Sequence, residues 1–570
     1  GRQQKKGAGV PAYPLDNEIR AAVTYGMGRF NPLLLAVVMA LLLFATFPGG
    51  LVPINDGFGY IRSIALTYQH GRPWTDDWLE PWAAGFSTLG ALVFAGTGSM
   101  YLATYGVCAA LMGVTAWACS RLLAARQVPV PVAAAVTVML LLFPTVLWKY
   151  VEVSGFSLYF ACLFLALLSY ERGNWPGFTL AWCVALSTRQ SAVAWGVLPA
   201  YALAGALWRR ESSGPRNALR PLVSILVAAG VFLWLAGGMN QTHAQTVITS
   251  HTLARWSLPV AVNALEVALW TFGVAFGLGR LVMGACPREG TGLVRRGLAA
   301  GAAALVVAAS LGWDLRAKLA YDHDAFAVPA FYVYLKGLCL LGGLGLGLSA
   351  LRVRLDFLLA ALGATAVLLL RSATWDYYLA DLFAFAFLGA ESGGRETETF
   401  RGRAYVCGAL AALSLSFLVF FKMRCDREYL VDTLGARALA RGAIDWTDAS
   451  FLPFGATGWY FFPYYATHEG RTSADLADFG RYLRQDVYGV AERYPRVLRT
   501  FPQFRGTLPS DRSTIVEQAR FSYCWFFHVD AALVRLPAAQ VRPALTPIAR
   551  DVGPPALPLT DAAWRAELRR

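Results

Sequence analysis

The stretch PLLLAVVMALLLFATFPGGL (Pro32–Leu51), followed by NDGFGYIRSIALTYQHGRPWTDDWLEPW (Asn55–Trp82), decides the fold. The first piece has the length and apolarity of a helix crossing a hydrocarbon core of about 30 Å, which takes roughly 20 residues. The second piece places Asp56, Arg62, His70, Asp76, Asp77 and Glu80 where that helix would emerge into water. Any loop leaving a bilayer is polar, so a reaction centre at the membrane surface has to be argued from the whole chain.

Composition points the same way. Of 570 residues 56% are hydrophobic and only 15% charged, too little polar surface for a soluble globule of this size. The net charge of +14 is spread in short clusters between apolar segments, a pattern that orients spans in a bilayer and argues against nucleic-acid binding. No cleavable signal pattern precedes the first span, which reads as a retained anchor. Nine cysteines include no metal-finger spacing. Seven lie in or beside apolar segments, so only Cys425 and Cys524 are candidates for a disulfide, in an oxidising compartment.

Apolar runs predict spans near 32–51, 99–121, 129–148, 155–170, 176–189, 190–207, 219–239, 258–283, 297–313, 331–350, 355–370, 376–390 and 404–421. The shorter ones read as half-helices or re-entrant pieces, giving about 11–13 transmembrane helices. Lys and Arg alternate by side. The N-terminal arm and the loops with Arg121 and Arg126, Arg172, Arg209 and Arg210, Arg288 and Arg295, Arg352 and Arg354, and Arg401 and Arg403 share one side, predicted to be cytoplasmic. All six histidines (His70, His243, His251, His323, His468, His528) fall on the other. The expected organisation is a cytoplasmic arm at 1–31, a membrane domain at 32–422 with its first outer loop at 52–98, and an extracytoplasmic domain at 423–570. A bacterial inner or plasma membrane is the expected location.

Several charges sit at the predicted outer boundary: Glu152 in WKYVEVSGF, Arg189 in ALSTRQSAVAW, and Arg371 and Asp376 in LLLRSATWDYYLADLF. Each alone is ordinarily a structural pair or a snorkelling side chain. Gathered on one face with Asp56, they form a candidate site. The break at Ser187–Gln190 would make a discontinuous helix whose backbone and Arg189 face a bound anion.

These residues carry a resemblance. Asp56, Gly71, Arg72, Asp77, Trp78 and Pro81 resemble the first outer loop of GT-C-type integral membrane glycosyltransferases, in the bacterial branch related to protein O-mannosyltransferases and aminoarabinose lipid A transferases. YVEVSGFSLYF is similar to that branch's acid before the fourth span, at Glu152. STRQSAVAWGVLPA resembles its TRQ turn, at Arg189 and Gln190, and WDYYLADLFAFAFL is similar to its late RYL-type helix start, at Tyr378. There are departures: Asn55-Asp56 keeps one carboxylate where the family often has two, and Asp376-Tyr377-Tyr378 stands where many relatives have Arg-Tyr, with Arg371 available to supply the charge.

The resemblance implies an all-α, GT-C-like membrane fold and a sugar transferase using a polyprenyl-phosphate-linked donor and a glycan, lipid or protein acceptor, with membrane lipids around it. The chemistry is consistent. An anionic leaving group needs a cation, for which Arg189 or Arg371 serve with Gln190 and Tyr378 nearby. The acceptor hydroxyl needs a base, and Asp56 is the first choice, with Glu152 the alternative catalytic carboxylate. Arg62, His70, Asp77 and Glu80 are the expected acceptor-side residues. Inverting displacement needs one base and no nucleophile.

No cofactor is firmly implied, and a divalent metal is the lesser reading: Asp322-His323-Asp324 offers a row of ligand types, but adjacent residues rarely all reach one ion, and a solvated loop tip is the reading preferred. A transporter or lipid flippase is the rival function; it predicts repeated broken helices and charge at span centres. A non-catalytic assembly scaffold is a second. Beyond 423 the composition turns polar with aromatic clusters, expected to form a core rather than a lipid-facing surface. DLADFGRYLRQDVYGVAERY (Asp475–Tyr494) has helical spacing. Gly342, Gly343, Gly345 and Gly347, inside an apolar span, would permit close helix packing.

Overall fold

The computed structural model describes residues 31–52, 54, 57–75, 84–208, 214–238, 257–283, 293–319, 323, 325–347, 353–370, 376–391, 400–440, 450–451, 487–493, 495–496 and 514–536. Each of the thirteen predicted spans is occupied by a helix or a broken helix pair. The first, α1 (Pro32–Thr46), starts where Asn31 accepts the Leu33 N–H and Pro32 fills the first position, where its missing donor costs nothing. The predicted first outer loop is instead largely helical, with α2 (Gly57–His70) and α3 (Ala84–Thr97) packed on each other. Its apolar residues, Ile61, Ile64 and Phe86 among them, are buried in the main core, and this burial is what folds a segment read as a polar loop.

Next comes α4 (Val107–Ala125), preceded by a π-helical turn at Leu102–Gly106. The predicted span 129–148 is two helices, α5 (Val130–Leu141) and α6 (Pro144–Val151), bent by 61°. Pro144 explains the break, since it cannot donate within a helix and forces Phe143 into an extended conformation. The chain continues through α7 (Gly155–Glu171), α8 (Trp175–Leu186), a 3-10 turn at Gln190–Gly196, α9 (Val197–Trp208), α10 (Gly214–Gly238), α11 (Leu258–Met283), α12 (Leu293–Gly312), α13 (Pro329–Gly347), α14 (Leu355–Leu369), a 3-10 turn at Asp376–Leu379 and α15 (Ala380–Gly389). Among the described residues six helices are long and apolar enough to cross a membrane, or seven if the bent pair counts as one span, and shorter apolar helices fill in between them. The chain is a multi-pass helical membrane protein.

The glycine-rich span packs as its sequence implies. A Cβ at Gly277 on α11 would lie 1.7 Å from the Gly342 carbonyl oxygen, and one at Gly345 would lie 2.1 Å from the Gly277 oxygen. The two backbones touch, a contact that only hydrogen side chains allow. At one end of the bundle Arg126 and Arg354 both bond Glu171 at 2.8 Å, and Arg354 also bonds Asp356. Arg126 further donates to the Leu388 carbonyl at 3.0 Å, capping the end of α15. The contacts thus group Arg126 and Arg354 at the end opposite Glu152, as the charge parity predicts.

The C-terminal part is built differently from its sequence reading. The boundary at 422/423 falls inside one 41-residue helix, α16 (Phe400–Ala440). Beyond it lies a four-stranded sheet, order β1-β2-β4-β3, formed by β1 (Ser450–Phe451), β2 (Val487–Arg493), β3 (Ile515–Tyr523) and β4 (Phe527–Leu536). The membrane part is helical as expected, and the sheet belongs to the small C-terminal part. Val487–Arg493, within the segment expected to be helical, is a strand because all seven residues pair antiparallel with Leu536 to Asp530, and tertiary pairing outweighs helical spacing. The sheet packs on α16 through Phe521, Tyr523 and Val529 against Leu430 and Leu434. Cys425 and Cys524 are buried free thiols, so the candidate disulfide is not formed.

Candidate functional site

Three breaks in membrane helices meet at the end of the bundle away from Arg126: the turn after α6, the 3-10 turn after α8, and the 3-10 turn before α15. The first carries Lys149 and Glu152. Lys149 Nζ donates to Glu152 Oε2 at 2.6 Å, with the two side chains 3% and 0% exposed. Between α6 and α7, Val153 has φ 59°, a left-handed conformation that is unfavourable for a β-branched residue. The Ser154 hydroxyl donates to the Lys149 carbonyl at 2.7 Å, tying the strained turn. Strain held in a buried turn beside an ion pair is the kind that marks functional positions.

The second break delivers Arg189, which is extended (φ −157°) as the chain leaves α8, with Gln190 opening the 3-10 turn. Its guanidinium lies 3.6 Å above the Phe156 ring and 5.0 Å from that of Tyr378. The third break supplies Tyr377 and Tyr378. Lys149 Nζ sits 4.2 Å over the Tyr377 ring and 5.6 Å over Phe156. Arg189 and Lys149 therefore share aromatic surfaces, and their distances to the Phe156 ring put them within about 9 Å of each other. Glu152 on Lys149 and Asp381 near Arg189 offset part of the repulsion between the two cations, and a further anion within reach of both would be held by charge-assisted bonds.

Beside them Asp376 accepts hydrogen bonds from the Thr145 hydroxyl and from His323 Nε2, the latter at 3.1 Å. His323 is 1% exposed, which corrects its reading as a solvated loop tip: Phe326 and Phe421 cover its ring. Asp322 and Asp324 lie outside the described residues. One turn further, Asp381 is held by the Tyr159 hydroxyl and, at 3.2 Å, by Trp195 Nε1.

An apolar cavity of about 180 Å³ opens between α4, α5, α7, α11, α13 and α15. It runs beside α15 from Asp376 and Thr145 at the site to Leu388 at the opposite end, about 18 Å at 1.5 Å per residue. Phe143, Phe160, Trp270 and Phe383 line it; Thr145 and Asp376 give it a polar mouth.

The helices of the first loop close the site from above. A Cβ at Gly57 would lie 2.1 Å from the Glu152 carbonyl oxygen, so α2 begins in backbone contact with the Lys149–Glu152 turn. Gly85 donates its N–H to the Ser187 carbonyl at 2.7 Å, seating α3 on the Arg189 turn. Arg62 is half-buried on α2. His70 is exposed at the other end of the 14-residue α2, about 20 Å away, stacked on Trp74, and is not brought to the site. Asp56, Asp77, Glu80 and Arg371 lie outside the described residues.

Of the sequence candidates, Glu152, Arg189, Gln190 and Tyr378 are gathered in one place. Lys149, Tyr377, Phe156 and His323 complete it and were missed as site residues. Lys149 had a signal: it is a lone cation in the apolar run VLWKYV, three residues before Glu152, a spacing that pairs side chains on one helix face.

Among solved structures the chain is similar to ArnT. The crystal structure of ArnT from Cupriavidus metallidurans, bound to undecaprenyl phosphate, aligns over 87% of this chain and 97% of its own, with 16% identity and a TM-score of 0.38. At that level the match carries no residue correspondence. No protein-family profile and no curated protein sequence matches the chain.

Proposed function

We propose that the chain is a GT-C-type membrane glycosyltransferase that moves a sugar from a polyprenyl-phosphate donor to an acceptor hydroxyl, on a glycan, lipid or protein, at the extracytoplasmic face of a bacterial inner membrane. One observation carries the reading: Lys149 and Arg189 lie over the shared Phe156 and Tyr377 rings, close along the chain to Thr145 and Asp376, which end an apolar cavity that can take the head-proximal part of a prenyl tail. In this reading Arg189 and Lys149 hold the donor phosphate and stabilise the charge that develops on it as the glycosidic bond breaks. Gln190 and Tyr378 border that phosphate. Glu152 is too closely bound to Lys149 to act as a free base, and its role is to hold that ammonium in place.

The base falls to Asp56, the carboxylate adjoining Gly57, whose backbone lies against Glu152. It takes the acceptor proton as the hydroxyl oxygen attacks the sugar carbon from the side opposite the phosphate, inverting it. A lipid flippase is less well supported, because a head group crossing the membrane needs polar groups along its path and the cavity lining is almost wholly apolar between its ends.

The test is single-turnover transfer from a polyprenyl-phosphate sugar by folded Asp56→Asn, Glu152→Gln and Glu80→Gln proteins. Asp56→Asn should bind donor and lose roughly 10²–10⁴ in rate. Near-normal transfer by that protein would remove Asp56 as base, and loss confined to Glu152→Gln would move the role there.

A further inference from the structure

The three residues joining β3 to β4 are Cys524, Trp525 and Phe526, between the paired Tyr523 and Phe527. Cys524 and Trp525 have φ of 48° and 60°. Tight hairpins give such positions to Gly, Asn or Asp, because a Cβ is strained there. Keeping a tryptophan in that conformation implies a use for its side chain.

The tip is fixed to two membrane helices. The Cys524 N–H donates to Asp426 Oδ2 at 2.7 Å, and Asp426 also binds Lys422, both on α16. Lys422 in turn donates to the Phe47 carbonyl at 3.1 Å. Trp525 Nε1 donates to the Ala45 carbonyl at 2.9 Å, in the last turn of α1. The tip is thereby held at the height where α1 ends its crossing. Beside that point α1 presents a continuous exposed apolar face, with Leu34, Val37, Leu41 and Phe44 uncovered. Phe526 is 83% exposed and Trp525 45% exposed.

We infer that the β3–β4 tip is a membrane anchor: Trp525 and Phe526 enter the interfacial layer of the bilayer beside α1 and fix the C-terminal sheet to the lipid surface. The occupant is lipid because the surface is continuous with the face of a transmembrane helix, which only acyl chains can cover at that height. The chemistry matches. A tryptophan with its N–H bonded and its ring facing outward is the side chain that membrane–water boundaries favour, and a phenylalanine next to it adds apolar surface without a polar group to satisfy. The inference needs the membrane fold and does not depend on the donor or the reaction.

The experiment places a benzophenone amino acid at position 526, and separately at Gln518, exposed on β3, in the full chain in phospholipid nanodiscs. After irradiation the peptide carrying position 526 should gain the mass of a phospholipid, at least tenfold more often than the peptide carrying 518. Cross-linking of 526 to a second copy of the chain, or to no lipid at all, overturns the inference. Hydroxyl-radical footprinting of the unaltered protein gives a reading independent of that substitution: Phe526 should be as protected as Phe44 in nanodiscs. Strong oxidation of Phe526 there overturns it equally.

Discussion

The Lys149–Glu152 pair gives the sharpest separation of stability from ligand binding. Both side chains are almost wholly buried and their charged atoms are 2.6 Å apart. Lys149→Met keeps the length of the side chain and removes the charge, stranding a carboxylate away from water. Breaking a buried pair from one side costs about 3–5 kcal/mol, whereas neutralising both sides is often nearly neutral. Lys149→Met/Glu152→Gln should therefore recover most of the loss, with a coupling energy of about 3 kcal/mol or more in the double-mutant cycle. Donor binding should not recover with it. Losing a charge-assisted bond to phosphate costs about 1.5–3 kcal/mol, or roughly 10- to 150-fold in affinity, in single and double variants alike. Reversible unfolding in mixed micelles reads the first quantity and titration with a polyprenyl phosphate the second. A Lys149→Met protein as stable as the parent, or a double variant that binds the lipid phosphate normally, would refute the reasoning.

Three further outcomes follow from other contacts. Arg189→Ala should weaken polyprenyl-phosphate binding roughly 10- to 150-fold, and Arg189→Lys should restore only part of it, because an ammonium lacks the planar fork; equal affinity of the Lys variant and the parent in the same titration would contradict this. Gly57→Ala places a Cβ 2.1 Å from a backbone oxygen, so α2 must shift off the Glu152 turn, and the transfer rate should fall about tenfold or more, as small misplacements do, while donor affinity holds. Gly277→Ala forces α11 and α13 apart and should destabilise the folded protein by about 1–3 kcal/mol with little change in donor affinity, measured by the same unfolding assay.

The spans were legible because about 20 consecutive apolar residues leave few alternatives in water, and all thirteen are helical. Arg189, Glu152 and Tyr378 were legible as candidates because a charged or polar side chain at a span boundary is costly enough to call for a reason. Their meeting was not, since it depends on three helix breaks that lie far apart in sequence and come together only through packing. His323 illustrates this: its neighbours in sequence are two aspartates, and its partner is Asp376, 53 residues away. The helices at Gly57–His70 and Ala84–Thr97 were hidden by the charges between them, although their apolar faces are what the core buries. In the C-terminal part the strand at Val487–Arg493 was read as helix because cross-strand pairing leaves no trace in local spacing.

The most direct test of the central claim is a cryo-electron-microscopy map of the protein in nanodiscs supplied with a polyprenyl phosphate. The account predicts phosphate density between Lys149 and Arg189 and continuous tail density entering past Thr145 and Asp376 and running toward Leu388. Phosphate density elsewhere, with Lys149 and Arg189 contacting protein alone, would contradict it.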